Sequence, residues 1–121
     1  MNDNIEEITD EITEKQAALF RVLADPTRLK LVKLLLTGNK PHSLCVNALA
    51  YRLGITQSAV SQHLRVLKSL GLVKGERQGY RVHYSVNENE IKNCRTLISS
   101  ALIKKGESIK SSDKNREEHD C

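Results

Sequence analysis

Between Thr56 and Lys68 the chain carries Gln57, Ser58, Ser61, Gln62 and Arg65: two amides, two hydroxyls and a guanidinium. Val60, Leu64, Leu67 and Leu70 are interleaved with them at spacings of four and three. That period predicts a helix with one face that packs and one that stays free. Amides and hydroxyls can donate and accept hydrogen bonds, as the edges of base pairs demand, and glutamine can pair bidentately with adenine. The free face has no Asp or Glu to repel phosphate, whereas an ordinary solvated helix mixes both signs. Each of these residues alone is equally an unremarkable surface position. Gathered on one face, they point to contact with DNA.

A helix of about 14 residues, roughly 21 Å long, fits a major groove about 12 Å wide and brings its first turns to the bases. Gln57, Ser58, Ser61 and Gln62 are therefore expected near base edges, and Arg65 and Lys68 near phosphate. After Gly71 the apolar period changes from 3.6 to 2. Tyr80, Val82, Tyr84 and Val86 alternate with polar residues and predict a strand, with Leu72 to Arg77 as its antiparallel mate and Gln78-Gly79 as the connection. Arg77 and Arg81 flank the tip of this hairpin, where they could reach phosphate or the minor groove.

Other elements must hold that helix and hairpin in place. Ile5, Ile8, Ile12, Leu19, Phe20 and Leu23 keep a helical beat, interrupted around Lys15 and Gln16, and predict a first helix ending near Ala24. Asp25-Pro26 reads as an N-cap with proline at the first helical position. It opens a second helix, apolar through Leu29, Leu31, Val32, Leu35 and Leu36, that belongs in the core and stops at Gly38. Past the loop containing Pro41, a short third helix turns Leu49, Ala50 and Leu53 inward and ends at Gly54, with Thr56 capping the next. Ile91, Cys94, Ile98 and Ala101 form the stripe of a last helix. The expected fold is mainly α with a small β-hairpin, a dimeric winged helix-turn-helix in the order α-α-α-α-β-β-α.

The chain has 121 residues, enough for one domain with one modest core. Its charge of +4 is segregated. Residues 1–14 hold six acids and no Lys or Arg, whereas residues 15–110 hold 17 Lys plus Arg against five Asp plus Glu. A basic middle suits a polyanion. We therefore expect an acidic, partly helical extension over residues 1–14, a DNA-binding and dimerisation domain over 15–104, and a polar, disordered tail over 105–121. No apolar run reaches the roughly 20 residues of a membrane span, and the acidic N-terminus is unlike a signal peptide. With three cysteines in no disulfide framework, a soluble cytoplasmic protein without a membrane partner is expected. Nucleophile, base and phosphate-loop arrangements are missing, so an enzyme is not expected.

The segments LADPTRLKLVKLL, LCVNALAYRLGITQSAVSQHLRVLKSLGLV and RQGYRVHYSV, in that order, resemble the ArsR/SmtB family of winged-helix repressors over roughly Leu19 to Leu102. The resemblance implies a homodimer with its first and last helices at the interface, here Leu19, Ile91, Cys94, Ile98 and Ala101. It also implies a double-stranded operator released when an inducer arrives. Size and symmetry agree, since a two-fold dimer sets two recognition helices one helical turn apart. The alternative is a winged-helix module that binds an acidic protein through its basic face.

The sensing half departs from the family. Many members bind a soft metal or metalloid through a Cys-Val-Cys run opening the third helix, but this chain has Cys45-Val46-Asn47. A metal there would need Cys45 to be joined by His42, Cys121 or a partner residue. A second family site, built from carboxylates and imidazoles on paired last helices, has Glu88 and Glu90 at one end but Ala101 and Lys104 at the other, and reads as lost. Cys45 and Cys94 stand as a redox pair to be tested by distance. His63 and His83 read as structural.

Overall fold

The computed structural model describes residues 10–37, 44–104 and 106. Ile5, Ile8, Gly38, Pro41, His42, Cys121 and almost all of the tail lie outside them. Among these described residues, five helices and three strands follow in the order α1 (Asp10–Leu23), α2 (Pro26–Leu36), β1 (Leu44–Cys45), α3 (Val46–Leu53), α4 (Gln57–Ser69), β2 (Val73–Gln78), β3 (Arg81–Val86) and α5 (Glu88–Leu102).

Local chemistry sets the helix boundaries. The Asp25 carboxylate accepts hydrogen bonds from the Thr27 and Arg28 backbone N–H groups, at 2.9 and 3.1 Å, with Pro26 at the first helical turn. These N–H groups, chiefly that of Arg28, hold the Asp25 carboxyl below its usual range. Gly54 ends α3 in the left-handed region, with φ of 70°, which an L side chain resists. Two residues later the Thr56 hydroxyl accepts from the Ala59 N–H at 3.0 Å and opens α4. This is the tight turn expected at Gly54-Ile55-Thr56.

The core is assembled from one face of each element. Leu31, Leu49, Val60, Leu64, Leu67 and Leu72 are fully buried, from α2, α3, α4 and the entry to β2. Each contributes roughly 1.5–3 kcal/mol by leaving water. The apolar beat of α4 thus packs as expected, with Leu70 half-buried. The second helix is less completely buried than its composition predicts. Leu31, Val32 and Leu35 face the core, but Leu29 and Leu36 are exposed, because a single helix of this size offers the core only one stripe.

Several elements differ from expectation. Lys15 and Gln16 do not interrupt α1; Gln16 turns toward α5, donating to the Leu97 carbonyl at 3.1 Å and bonding the Ser100 hydroxyl at 3.0 Å. The hairpin turn is Gly79-Tyr80, one residue later than expected, because Gln78 pairs with Arg81. Gly79 has φ of 69° and Tyr80 does not share the positive sign, the pattern of a type II′ turn with glycine first. Tyr80 is therefore a turn residue, 92 % exposed, rather than part of the strand's apolar face. Leu72 precedes the strand and is buried. The sheet also has a third strand, in the order β1-β3-β2. Two residues, Leu44 and Cys45, are too few to show a period in sequence; they pair antiparallel with Tyr84 and His83.

No residue of α5 is fully buried. Ile91, Cys94, Leu97 and Ile98 pack half-buried against the core, while Ala101 and Leu102 are exposed. Leu19, expected at a dimer interface, is only 3 % exposed and belongs to the chain's own core, because it is the position of α1 that turns inward beside α5. No helix among the described residues is long and apolar enough to cross a membrane.

Candidate nucleic-acid interface

Packing decides which side of α4 is free. With Val60, Leu64 and Leu67 directed into the core, Gln57, Ser58, Ser61, Gln62, Arg65 and Lys68 are all exposed. Ser61, Arg65 and Lys68 line one hollow that Tyr84 of β3 closes from the side, so the basic end of the face adjoins the sheet. Arg77 and Arg81 are exposed near the hairpin end, in register with Val82 and Gln78. Amides, hydroxyls and cations therefore share one exposed face of α4, Arg81 lines a cleft with Gln57 at its start, and Arg77 lies on the other face of the hairpin.

Two contacts near the start of α3 give this side its order. Asn47 and Gln57, on consecutive helices, are joined by a hydrogen bond in which Gln57 Nε2 donates to Asn47 Oδ1 at 3.1 Å. Across the same cleft, of about 430 Å³, Arg81 Nη1 lies 3.7 Å from Cys45 Sγ. In the sequence Asn47 shows only as a departure from the Cys-Val-Cys run, with nothing to pair it with Gln57. Its partner is ten residues away across a turn, and only the crossing of α3 and α4 brings the amides together.

The flank of α4 is tied down separately. His63 is half-buried, with Nδ1 3.4 Å from Arg28 Nη1. Arg28 also donates from Nε to the Val22 carbonyl at 2.8 Å, and its guanidinium is 3.9 Å from the Asp25 carboxylate. This chain of contacts links the α1–α2 junction to the middle of α4. His83 sits on β3 between Cys45 and Glu76 of the adjacent strands. Its Nδ1 is buried without a hydrogen-bond partner among the described residues.

Cys45 and Cys94 are both free thiols, and they line different hollows. Their environments differ in kind. The Cys45 thiol is shifted below its usual pKa, first by the Ala48 backbone N–H at the start of α3 and further by Arg81. Burial pushes the Cys94 thiol up, with the Glu90 charge adding to it. Iodoacetamide near neutral pH is therefore expected to alkylate Cys45 before Cys94, read by peptide mass spectrometry. Faster labelling of Cys94 would contradict these assignments.

Among the described residues, no three His, Cys, Asp or Glu side chains gather where they could hold an ion. At Cys45 the neighbouring cation is Arg81, and the Asn47 amide oxygen is engaged by Gln57. The described groups around α3 do not by themselves fit a metal centre. His42 and Cys121, proposed to complete one, lie outside the described residues.

Comparison with known proteins accords with this geometry. A model of the "Bacterial regulatory protein, arsR family" matches residues 25–74. A Synechocystis protein named transcriptional repressor SmtB homolog is 41 % identical over 89 residues, covering 74 % of this chain and 64 % of that protein. This chain therefore spans less than two thirds of that relative's length. The arsenical resistance operon repressor of Escherichia coli is 32 % identical over 103 residues, covering 85 % of this chain and 86 % of that one. Among solved structures, a homodimeric winged helix-turn-helix DNA-binding domain from Mycobacterium bovis, described as a possible ArsR-family regulator, aligns with a TM-score of 0.59 and 29 % identity, over 77 % of this chain and 86 % of that one. Family pattern, helix order, and the sheet behind α4 agree, and the chain belongs to the ArsR family of bacterial regulatory proteins.

Proposed function

We propose that this protein is a sequence-specific, homodimeric transcriptional repressor that binds double-stranded operator DNA through α4 and the β2–β3 wing. The observation that carries the reading is the exposed face of α4, which holds amides, hydroxyls and cations without a single carboxylate and shares a cleft with the wing arginine Arg81. Gln57, Ser58, Ser61 and Gln62 read bases, Arg65 and Lys68 hold phosphate, and Arg77 and Arg81 extend the grip along the duplex. Names of relatives that call them repressors support this reading, and nothing favours the protein-interaction alternative. The half-buried α5 stripe of Ile91, Cys94 and Ile98, continued by exposed Ala101 and Leu102, leaves apolar surface for a second copy, and the similar Mycobacterium bovis domain is homodimeric. Hydroxyl-radical footprinting on the promoter of its own gene tests the whole proposal. Two protected half-sites about one helical turn, roughly 34 Å, apart are expected, and uniform protection would refute it.

Relatives named for arsenical or mercury resistance support a metal or metalloid ion as inducer. Cys45 is the thiol on which such a signal would act, with His42 and Cys121 as the candidate co-ligands. Operator affinity measured with zinc, cadmium and arsenite, with and without Cys45→Ser, separates the cases. Release by one ion that Cys45→Ser abolishes supports metal sensing at α3; unchanged affinity with all three removes it.

A further inference from the structure

We infer that Asn47 is a positioning residue for base recognition: it holds the Gln57 side chain in place on the DNA-facing side and so sets which base pair Gln57 prefers. The inference rests on the reading of Gln57 as a base contact and goes beyond it, because Asn47 itself lies on α3, outside the recognition helix.

Gln57 is the first residue of α4 and is exposed, so a free side chain there would sample many rotamers. Ordering a glutamine costs as much as about 2 kcal/mol, and a contact that must order it on binding loses that amount from its affinity. In this structure the ordering partner is already present. Gln57 Nε2 donates one hydrogen to Asn47 Oδ1 at 3.1 Å. That bond fixes which end of the amide faces Asn47, and therefore which end is offered outward. Oε1 and the second Nε2 hydrogen stay uncommitted, the acceptor-and-donor pair needed for a bidentate contact with adenine.

Asn47 is well placed to be a fixed support. It sits in the first turn of α3, a helix anchored through fully buried Leu49 and buried Ala50. It is also two residues from Cys45, whose sulfur meets Arg81 across the same cleft. The start of α3 therefore touches a recognition-helix side chain and a wing side chain together. A neutral cysteine thiol at this position would be a weak hydrogen-bond acceptor, whereas the asparagine amide oxygen is a good one.

A double-mutant cycle on the full chain tests the inference, using binding to a set of operators in which each base pair is changed in turn. Gln57→Ala is expected to relax preference at one base pair in each half-site. Asn47→Ala is expected to relax the same base pair, with a loss of about tenfold on the best operator. Adding Asn47→Ala to Gln57→Ala should cause no further loss, because Asn47 acts through Gln57. Asn47→Asp keeps the accepting oxygen, so base preference should survive while its negative charge weakens all DNA alike. Since Asn47 is exposed, the melting temperature of Asn47→Ala should stay within about 3 °C of the parent protein. Fully additive losses, or a wild-type base profile for Asn47→Ala beside a relaxed one for Gln57→Ala, would overturn the positioning role. A wild-type profile for Gln57→Ala itself would instead remove the premise that Gln57 reads a base, and the inference with it.

Discussion

Alanine at both Arg77 and Arg81 is expected to weaken binding to every DNA sequence by about 10²-fold at moderate salt, while leaving the order of base preference intact. Both guanidinium groups are exposed near the free end of the β2–β3 hairpin, and neither has a carboxylate partner among the described residues. A cation that neutralises a phosphate releases condensed counterions, so each arginine removed should reduce the slope of log affinity against log salt by about one. In a homodimer the double substitution removes four such groups, and the slope should fall by about four. Anisotropy titrations at several salt concentrations read both quantities. Arg81 has a second contact, with Cys45, so its single substitution also frees the thiol from a neighbouring cation. Loss of base discrimination in the double variant, with an unchanged salt slope, would show that these arginines read sequence instead.

Leu64→Ala is expected to destabilise the fold by about 2–5 kcal/mol. Leu64 lies on the buried side of α4, is 2 % exposed, and belongs to the core cluster shared with α2 and α3. Truncation removes its transfer free energy and leaves a cavity that close-packed neighbours fill incompletely. Against a total stability of about 5–15 kcal/mol, such a loss should lower the melting temperature by about 10 °C or more. Calorimetry on the protein at fixed concentration measures it. The same helix carries Gln62 on its opposite face, and Gln62→Ala should leave the melting temperature nearly unchanged. This contrast tests whether α4 divides cleanly into a packing side and a reading side.

The parts legible in sequence are those governed by local chemistry. Asp25-Pro26, Gly54 and Thr56 each impose a backbone geometry or satisfy a free N–H within three residues, so they mark helix ends without knowledge of the fold. The periodicity of Val60, Leu64 and Leu67 likewise fixes the orientation of α4. What the sequence conceals depends on contacts between distant segments. β1 has two residues and exists because β3 offers it an edge. Gln16 looks like a break in an apolar pattern until α5 supplies its hydrogen-bond partners. Family resemblance assigns Leu19 to a dimer interface, yet it is buried within its own chain. Similarly, Asn47 looks like a lost ligand, and only the crossing of α3 and α4 gives it the Gln57 amide. The hairpin turn moved by one residue because glycine fits the first central position of its turn type, and the pattern of apolar residues alone counted Tyr80 into the strand.

Whether α4 reads a DNA sequence is measured by competition binding. The protein is titrated against a labelled fragment of its own promoter, with unlabelled promoter or random DNA of equal length as competitor, at near-physiological salt. Nanomolar-range affinity and a preference for the promoter of about 10³-fold or more, lost progressively as salt rises, are expected. Equal competition by promoter and random DNA would contradict it.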